Sequence, residues 1–283
     1  PRAGRPPPGA APPAPGSGGA GPRLLAAAAA RAARRAGERG DVLSRPVAGG
    51  VAAFAEPGTP LNKVAGLGFD GALTERELEE VEKSFARREC PVRVELSSLA
   101  DPSLGARLTR RGYVLEGFED VLGLALPAAG LPTVPAGVRV RPSGPEEIEA
   151  WLDVTVAGFL SPDTQGVPSN ESFEEEVPRR VIRDFAQADG MTRYLAERDG
   201  VPAGGGSVRI ADGLAQLCGA ATLPAHRRRG VQTALLAERL GAADRAGCDL
   251  AVVTTQPGSK SQENARRRGF ALLYTRAVLV RPV

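Results

Sequence analysis

The feature that most restricts the fold of this chain is an internal repeat. Cys90-Pro-Val-Arg-Val-Glu-Leu-Ser97 matches Cys248-Asp-Leu-Ala-Val-Val-Thr-Thr255, and each segment follows a long helical pattern. Farther on, Arg110-Arg-Gly-Tyr113 matches Arg267-Arg-Gly-Phe270, and each opens a long strand region that is expected to close its own half. Two related α/β units follow. Apolar periodicity places helices at 23–38, 74–88, 102–110, 145–159, 173–188, 231–246 and 261–267, with strands between them. Thr74-Glu-Arg-Glu77 is only loosely like a capping box. Pro127-Ala-Ala-Gly-Leu-Pro-Thr-Val-Pro135 carries three prolines and no period, so it reads as a linker. The expected organisation is a disordered Pro/Gly-rich tail at 1–22, a first domain at 23–127, a linker at 128–136 and a second domain at 137–283.

Only the second unit carries a charged loop. Its strand 214–222 runs into Pro224-Ala-His-Arg-Arg-Arg-Gly-Val-Gln-Thr-Ala-Leu-Leu236, in which three arginines and a glycine precede a long helix. Free backbone N–H groups at a helix N-terminus, the positive end of the helix dipole and cationic side chains together make an anion site, and a diphosphate fits it. A short arginine run alone also fits a solvated charged face. Against that, cations at a helix N-terminus oppose the dipole by roughly 0.3–1 kcal/mol each unless an anion is bound.

Composition removes other classes. The net charge is only +3 and aromatics are 4%, which speaks against nucleic acid. Three scattered cysteines and one histidine, His226, do not supply a zinc cluster, and no metal is expected. Free cysteines suggest a reduced, cytoplasmic protein. No apolar run approaches the ~20 residues of a membrane span, so no membrane partner is expected. Leu24-Leu-Ala-Ala-Ala-Ala-Ala30 is like a short signal-peptide core, but it runs into Arg31, Arg34 and Arg35.

On these motifs the second half resembles the GNAT superfamily of acyl-CoA-dependent N-acetyltransferases. The family's phosphate loop, Arg/Gln-x-x-Gly-x-Gly/Ala between a strand and a long helix, reads here Arg227-Arg-Arg-Gly230-Val-Gln232, with Gln232 at the third small position. The preceding strand Cys218-Gly-Ala-Ala-Thr222 and the ending Arg268-Gly269-Phe270 also match. Residues 41–127 look like a degenerate copy. The resemblance implies an α/β fold (α+β, a mixed curved sheet flanked by helices), the acyl-CoA N-acyltransferase (GNAT) fold in two tandem copies. It implies acetyl-CoA as co-substrate, bound by backbone N–H groups near Ala220, Ala221 and Thr222 and by the loop Arg227, Arg228, Arg229, Gly230, Val231, Gln232 and Thr233, with Asn264 alongside.

The proton-transfer side departs from the family. Ala265 stands where an acidic Tyr is usual, Gly258 where an Asn is usual, and Val253 near a base Glu of some members. Ser261 and Tyr274 are the candidates for the missing acid, and each also fits a capping or packing role. His226 and Cys218 fit loop packing and core better than chemistry. Glu174-Glu-Glu176, with Glu171 and Asp163, fits either an amine-binding surface or a solvated helix start. Trp151 is expected in the helix–sheet core. In the first half, Gly68-Phe-Asp-Gly-Ala72 aligns with His226–Gly230 without its charge, so that half is not expected to bind acyl-CoA. It is left to pack on the second half, to shape the acceptor pocket or to mediate a homodimer.

The reading is an acetyl-CoA-dependent N-acetyltransferase acting on a small-molecule amine or amino group by direct attack in a ternary complex. The alternative is a non-catalytic acyl-CoA-binding or regulatory protein on the same fold, prompted by Ala265 and Gly258.

Overall fold

The computed structural model describes residues 24–31, 43–69, 72–128, 130, 133–161, 167 and 176–283. The expected tail 1–22, Asp70, Asp163, Glu171, Glu174 and Glu175 lie outside the described residues, as does the side chain of Glu176.

The first half contains α1 (24–31), β1 (Leu43–Val47), β2 (Gly50–Phe54), β3 (Lys63–Leu67), α2 (Glu75–Ala86), β4 (Val92–Ser97), α3 (Pro102–Arg110) and β5 (Val114–Ala125). The second contains β6 (Val138–Pro142), α4 (Ile148–Leu160), α5 (Glu176–Ala186), β7 (Met191–Arg198), β8 (Val201–Ala211), β9 (Leu214–Thr222), α6 (Val231–Arg245), β10 (Leu250–Thr255), α7 (Lys260–Arg267) and β11 (Ala271–Arg281). The helical and strand periods are thus largely where the apolar pattern puts them. The 113–126 stretch, open between one strand and two, is the single strand β5.

All described strands form one sheet in the order β1-β2-β3-β4-β11-β5-β10-β9-β8-β7-β6. The expectation that each half is closed by its own last strand is not met. β5 of the first half pairs with β10 of the second, and β11 of the second pairs with β4 of the first. The repeat explains the exchange. β4 and β10 are equivalent edges, so either closing strand fits either one. Crossing over also lets β5 and β11 pair with each other from Ala271 to Val280, leaving no edge in the middle of the sheet.

Alternation along the strands sorts the helices. On β7, Tyr194 and Ala196 face α6 and α7 in one apolar cluster, while Leu195 faces α4 in another. On β2, Ala52 and Phe54 face α2 and α3, while Val51 and Ala53 face α1 and Val181 of α5. Helix α5 therefore bridges the halves on the α4 side, with Arg180 reaching Glu56 at 3.4 Å. Trp151 is fully buried, and its indole N–H donates to the Tyr194 carbonyl at 3.1 Å.

Helix α2 has a complete capping box. The Thr74 hydroxyl accepts from the Glu77 N–H at 3.1 Å, and the Glu77 carboxylate accepts from the Thr74 N–H at 2.8 Å. Thr74→Ala is expected to lower the unfolding free energy by about 1 kcal/mol in urea titration, with an unchanged m-value.

Candidate functional site

The two central parallel strands of the second half pair only at their beginnings. Leu250–Val253 of β10 lie beside Leu214–Leu217 of β9, and beyond them the ladder stops. A β-bulge drives the separation. Ser207 faces Cys218 but Gly205 faces Ala221, and Gly219 carries a φ of 42° that glycine tolerates. The carbonyls at the bulge are met by Arg239 of α6, which donates to Ser207 at 3.3 Å and Cys218 at 3.4 Å. Arg239 is 3% exposed, and burial lowers its pKa to about 10, so it remains charged at neutral pH. The opened strands leave backbone groups of Ala220–Thr222 along a gap, and the Thr222 and Thr255 hydroxyls at the strand ends have no partner among the described residues.

The loop after β9 leaves a helix N-terminus open that can receive an anion. Arg228 sits in the left-handed region at φ 57°, an unfavourable conformation costing about 1 kcal/mol, and Gly230 follows at φ 82° as the N-cap of α6. No side chain caps this helix, its first turn has no acidic residue, and Ala234 is the first N–H to bond back, to the Gly230 carbonyl at 2.9 Å. The N–H groups of Val231, Gln232 and Thr233 thus present the positive end of the dipole to the gap.

A cleft of about 1420 Å³ runs through the split sheet. On the α6–α7 side it is lined by Arg228, Thr233, Ser261, Asn264 and Arg268, and on the α4 side by Gly158 and Phe159. It continues onto the first half, over Lys63, Glu95 and Glu119. A split parallel pair leading to an uncapped helix end accommodates a narrow chain with a diphosphate at its far end.

Residues 160–270 match the acetyltransferase (GNAT) family model. The chain has the GNAT fold, in a tandem arrangement over most of its length. A GCN5-related N-acetyltransferase from Kribbella flavida is 24% identical with a TM-score of 0.61, covering 92% of this chain and 96% of its own. A tandem GNAT protein from the clavulanic acid biosynthesis pathway is 14% identical at TM-score 0.60, covering 90% and 87%. A GCN5-related N-acetyltransferase from Sphaerobacter thermophilus is 16% identical at 0.57, covering 86% and 75%. No curated protein sequence matches the chain.

Within the second half, the loop residues Arg227, Arg228, Gly230, Val231, Gln232 and Thr233 come together with Ala220, Ala221, Thr222, Ser261 and Asn264 around a single cleft. Arg229 and Tyr274 do not line it, and Arg227 lines it with its guanidinium engaged elsewhere. Arg229 is exposed and is not among the residues lining the cleft. Arg227 turns its guanidinium onto the carbonyls of Thr222 at 3.3 Å, Gly158 at 3.4 Å and Ser161, tying the end of α4 to the loop. Tyr274 also lies outside the lining residues. Its ring packs edge-on against Phe69 at 5.3 Å, and burial pushes its pKa up. Burial pushes the Cys218 thiol up to about 12, so it is not a ready nucleophile. Ala265 is buried among the apolar residues of α6 and the sheet.

The described residues of the first half do not repeat this arrangement. Strands β3 and β4 stay paired as far as Leu96, the counterpart of Thr254, which has no partner on β9. A Cβ at Gly68 would meet Leu104 at 2.7 Å and Ala100 at 2.9 Å, so α3 closes the space behind the loop. The α2 N-terminus is capped by Thr74 and carries Glu75 and Glu77, which satisfies the donors that α6 leaves open.

What the first half contributes instead is polar. Lys63 binds Glu95 at 2.6 Å; Arg276 binds Glu95 at 2.7 Å and Glu119 at 2.5 Å. Burial raises the Glu95 carboxyl, but Arg276 and Lys63 outweigh it and hold the pKa down at about 2. On the other face, Asp120 accepts from Gln262 of α7 at 2.5 Å and from the Thr275 hydroxyl at 2.6 Å, and Gln262 accepts from the Gly258 N–H at 2.8 Å. The first half thereby anchors the helix that carries Ser261 and Asn264. Sequence reading passed over Glu95, Glu119, Asp120 and Gln262, because no motif links residues that only strand exchange brings together.

Proposed function

We propose that the chain is an N-acetyltransferase that moves the acetyl group of acetyl-CoA to a small-molecule amine in a ternary complex. The observation that carries this reading is the split between β9 and β10 leading to the uncapped N-terminus of α6. The backbone N–H groups from Gly230 to Thr233, with Arg228 and Arg268 at the mouth, would hold the diphosphate. The Thr233 hydroxyl already accepts from Arg268 at 3.2 Å, which gathers both groups at one point. The open backbone near Ala220–Thr222 would hold the pantetheine arm and polarise the thioester carbonyl. The amine nitrogen attacks that carbon, the C–S bond breaks and CoA leaves as thiolate. Ser261, which lines the cleft, is the hydroxyl offered for that thiolate. The division into residues 23–127 and 137–283 belongs to the same proposal, the first as a degenerate copy.

A non-catalytic acyl-CoA-binding role is the second reading, favoured by the apolar burial of Ala265 where a phenol is usual. Calorimetric titration with acetyl-CoA, followed by thiol release across a panel of primary amines, separates the two. Binding with amine-dependent thiol release is expected. Binding with slow hydrolysis alone would select the second reading, and no binding would refute both.

A further inference from the structure

Where β9 and β10 part, the inner end of the gap decides what meets the end of a bound chain. The last ladder pair is Leu217 with Val253, so Thr255, two residues on, is level with Gly219 at the bulge. The Ala220–Thr222 backbone lies farther out, between that point and the loop that leads to α6. A chain anchored at the α6 N-terminus and laid along Ala220–Thr222 would therefore end beside Thr255.

Alternation sets the face. Thr255 is the register partner of Asp120, which meets Gln262 of α7. Ala251 and Val253, of the same parity, pack into the apolar cluster that includes α6. The Thr255 side chain thus lies on the α6–α7 face, that of the cofactor loop. Thr255 is 5% exposed, lines the cleft and has a hydroxyl with no partner among the described residues. Such a group is rarely left unmet in a native protein. Its polar neighbours are committed to one another. Asp120 accepts from Gln262 and Thr275, and Gln262 accepts from the Gly258 N–H. Gln262 and Ala265 are the residues that α7 buries, and the Ala265 side chain has no polar atom. Ser261 is exposed, so water competes for its hydrogen bond.

We propose that the Thr255 hydroxyl donates a hydrogen bond to the sulfur of the leaving coenzyme A thiolate. This rests on the acyl-transfer reading above. As the amine nitrogen bonds to the acyl carbon and the C–S bond breaks, the electron pair stays on sulfur. Thr255 stabilises that charge without giving up its own proton. The extra proton on nitrogen leaves to solvent, and the thiolate takes one from solvent, on the side where Ser261 lies. A buried donor does more here than an exposed one, because its surroundings screen the charge less and no water competes for it. A donor on β10 removes the need for a phenol on α7, where Ala265 stands.

The test uses full-length wild type, Thr255→Val, Thr255→Ser and Ser261→Ala, each loaded with coenzyme A carrying carbon-13 next to sulfur. The NMR shift of that carbon, followed with pH, gives the pKa of the bound thiol. Asp120 on β5, Arg239 on α6, His226 and Arg228 in the loop, and Lys260 and Arg268 on α7 surround the same face, and all are unchanged in the variants. Differences therefore report the hydroxyl. The bound thiol is expected to titrate about one pH unit higher in Thr255→Val than in wild type, a tenfold change, with Thr255→Ser close to wild type and Ser261→Ala shifted less. Free Thr255→Val is expected to melt no lower than wild type, because valine replaces an unpartnered buried hydroxyl by a methyl of the same shape. An unchanged thiol pKa in Thr255→Val, or a clearly lowered melting temperature, would overturn the assignment of Thr255. Failure of coenzyme A to bind wild type would instead overturn the acyl-transfer reading, and this assignment with it.

Discussion

Arg228→Glu is expected to weaken acetyl-CoA binding at least a hundredfold, about 2.7 kcal/mol, while shifting the melting temperature by no more than about 2 °C. The size follows from charge. The substitution replaces attraction by repulsion beside a doubly charged diphosphate at a helix N-terminus, where the dipole and free N–H groups act in the same direction. The small stability change follows from position. Arg228 is exposed, and its guanidinium makes no hydrogen bond or ion pair with other described residues. Its neighbours are poorer tests. Arg227→Glu would also release the carbonyls of Thr222, Gly158 and Ser161. Gly230→Glu would place a side chain at φ 82° against the Pro135 ring. Titration calorimetry beside a thermal melt checks the prediction, and unchanged affinity in a folded Arg228→Glu protein would remove the diphosphate assignment.

Glu95→Gln is expected to cost about 3–5 kcal/mol of folding stability, measured by urea unfolding at pH 7. Lys63 and Arg276 both lean on this carboxylate, and burial already disfavours their charged forms. Removing it leaves two cations close together without their shared anion. The same group makes stability depend on pH. Glu95 has an ordinary value of 4.5 and is held near 2 in the fold. A depressed carboxyl contributes fully above its unfolded value, and the contribution disappears as pH falls through the folded one. Wild type should therefore lose about 3 kcal/mol between pH 5 and 2 through this group. Glu95→Gln should lack that part of the acid slope. Parallel pH profiles of the two proteins would contradict the network as drawn.

The two halves were unequally legible. The loop at Arg227–Thr233 shows in sequence because its chemistry is local: a strand, a turn and a helix start lie within about twenty consecutive residues. Even there, only the folded chain shows what each arginine does. Arg227 lines the cleft but spends its guanidinium on backbone carbonyls, Arg229 is not among the lining residues, and Arg268, from a different helix, comes in over Thr233. Glu95 and Glu119 were invisible for a different reason. In an alternating strand, an inward carboxylate looks like an outward one until the partner strand is known, and here the partner strand belongs to the other repeat.

By itself, the sequence determined the elements, the repeat and the strand, turn and helix start that carry the arginine-rich loop. Each depends on backbone preference and apolar period over short stretches, which neighbouring residues suffice to set. Only the tertiary structure decided that the closing strands change halves. The reason is the repeat itself: β4 and β10 offer equivalent edges to β5 and β11, so local preference is satisfied either way, and only the global pairing distinguishes them. That choice sets Asp120 against α7 and Glu119 in the cleft, and makes one site from two copies of a fold.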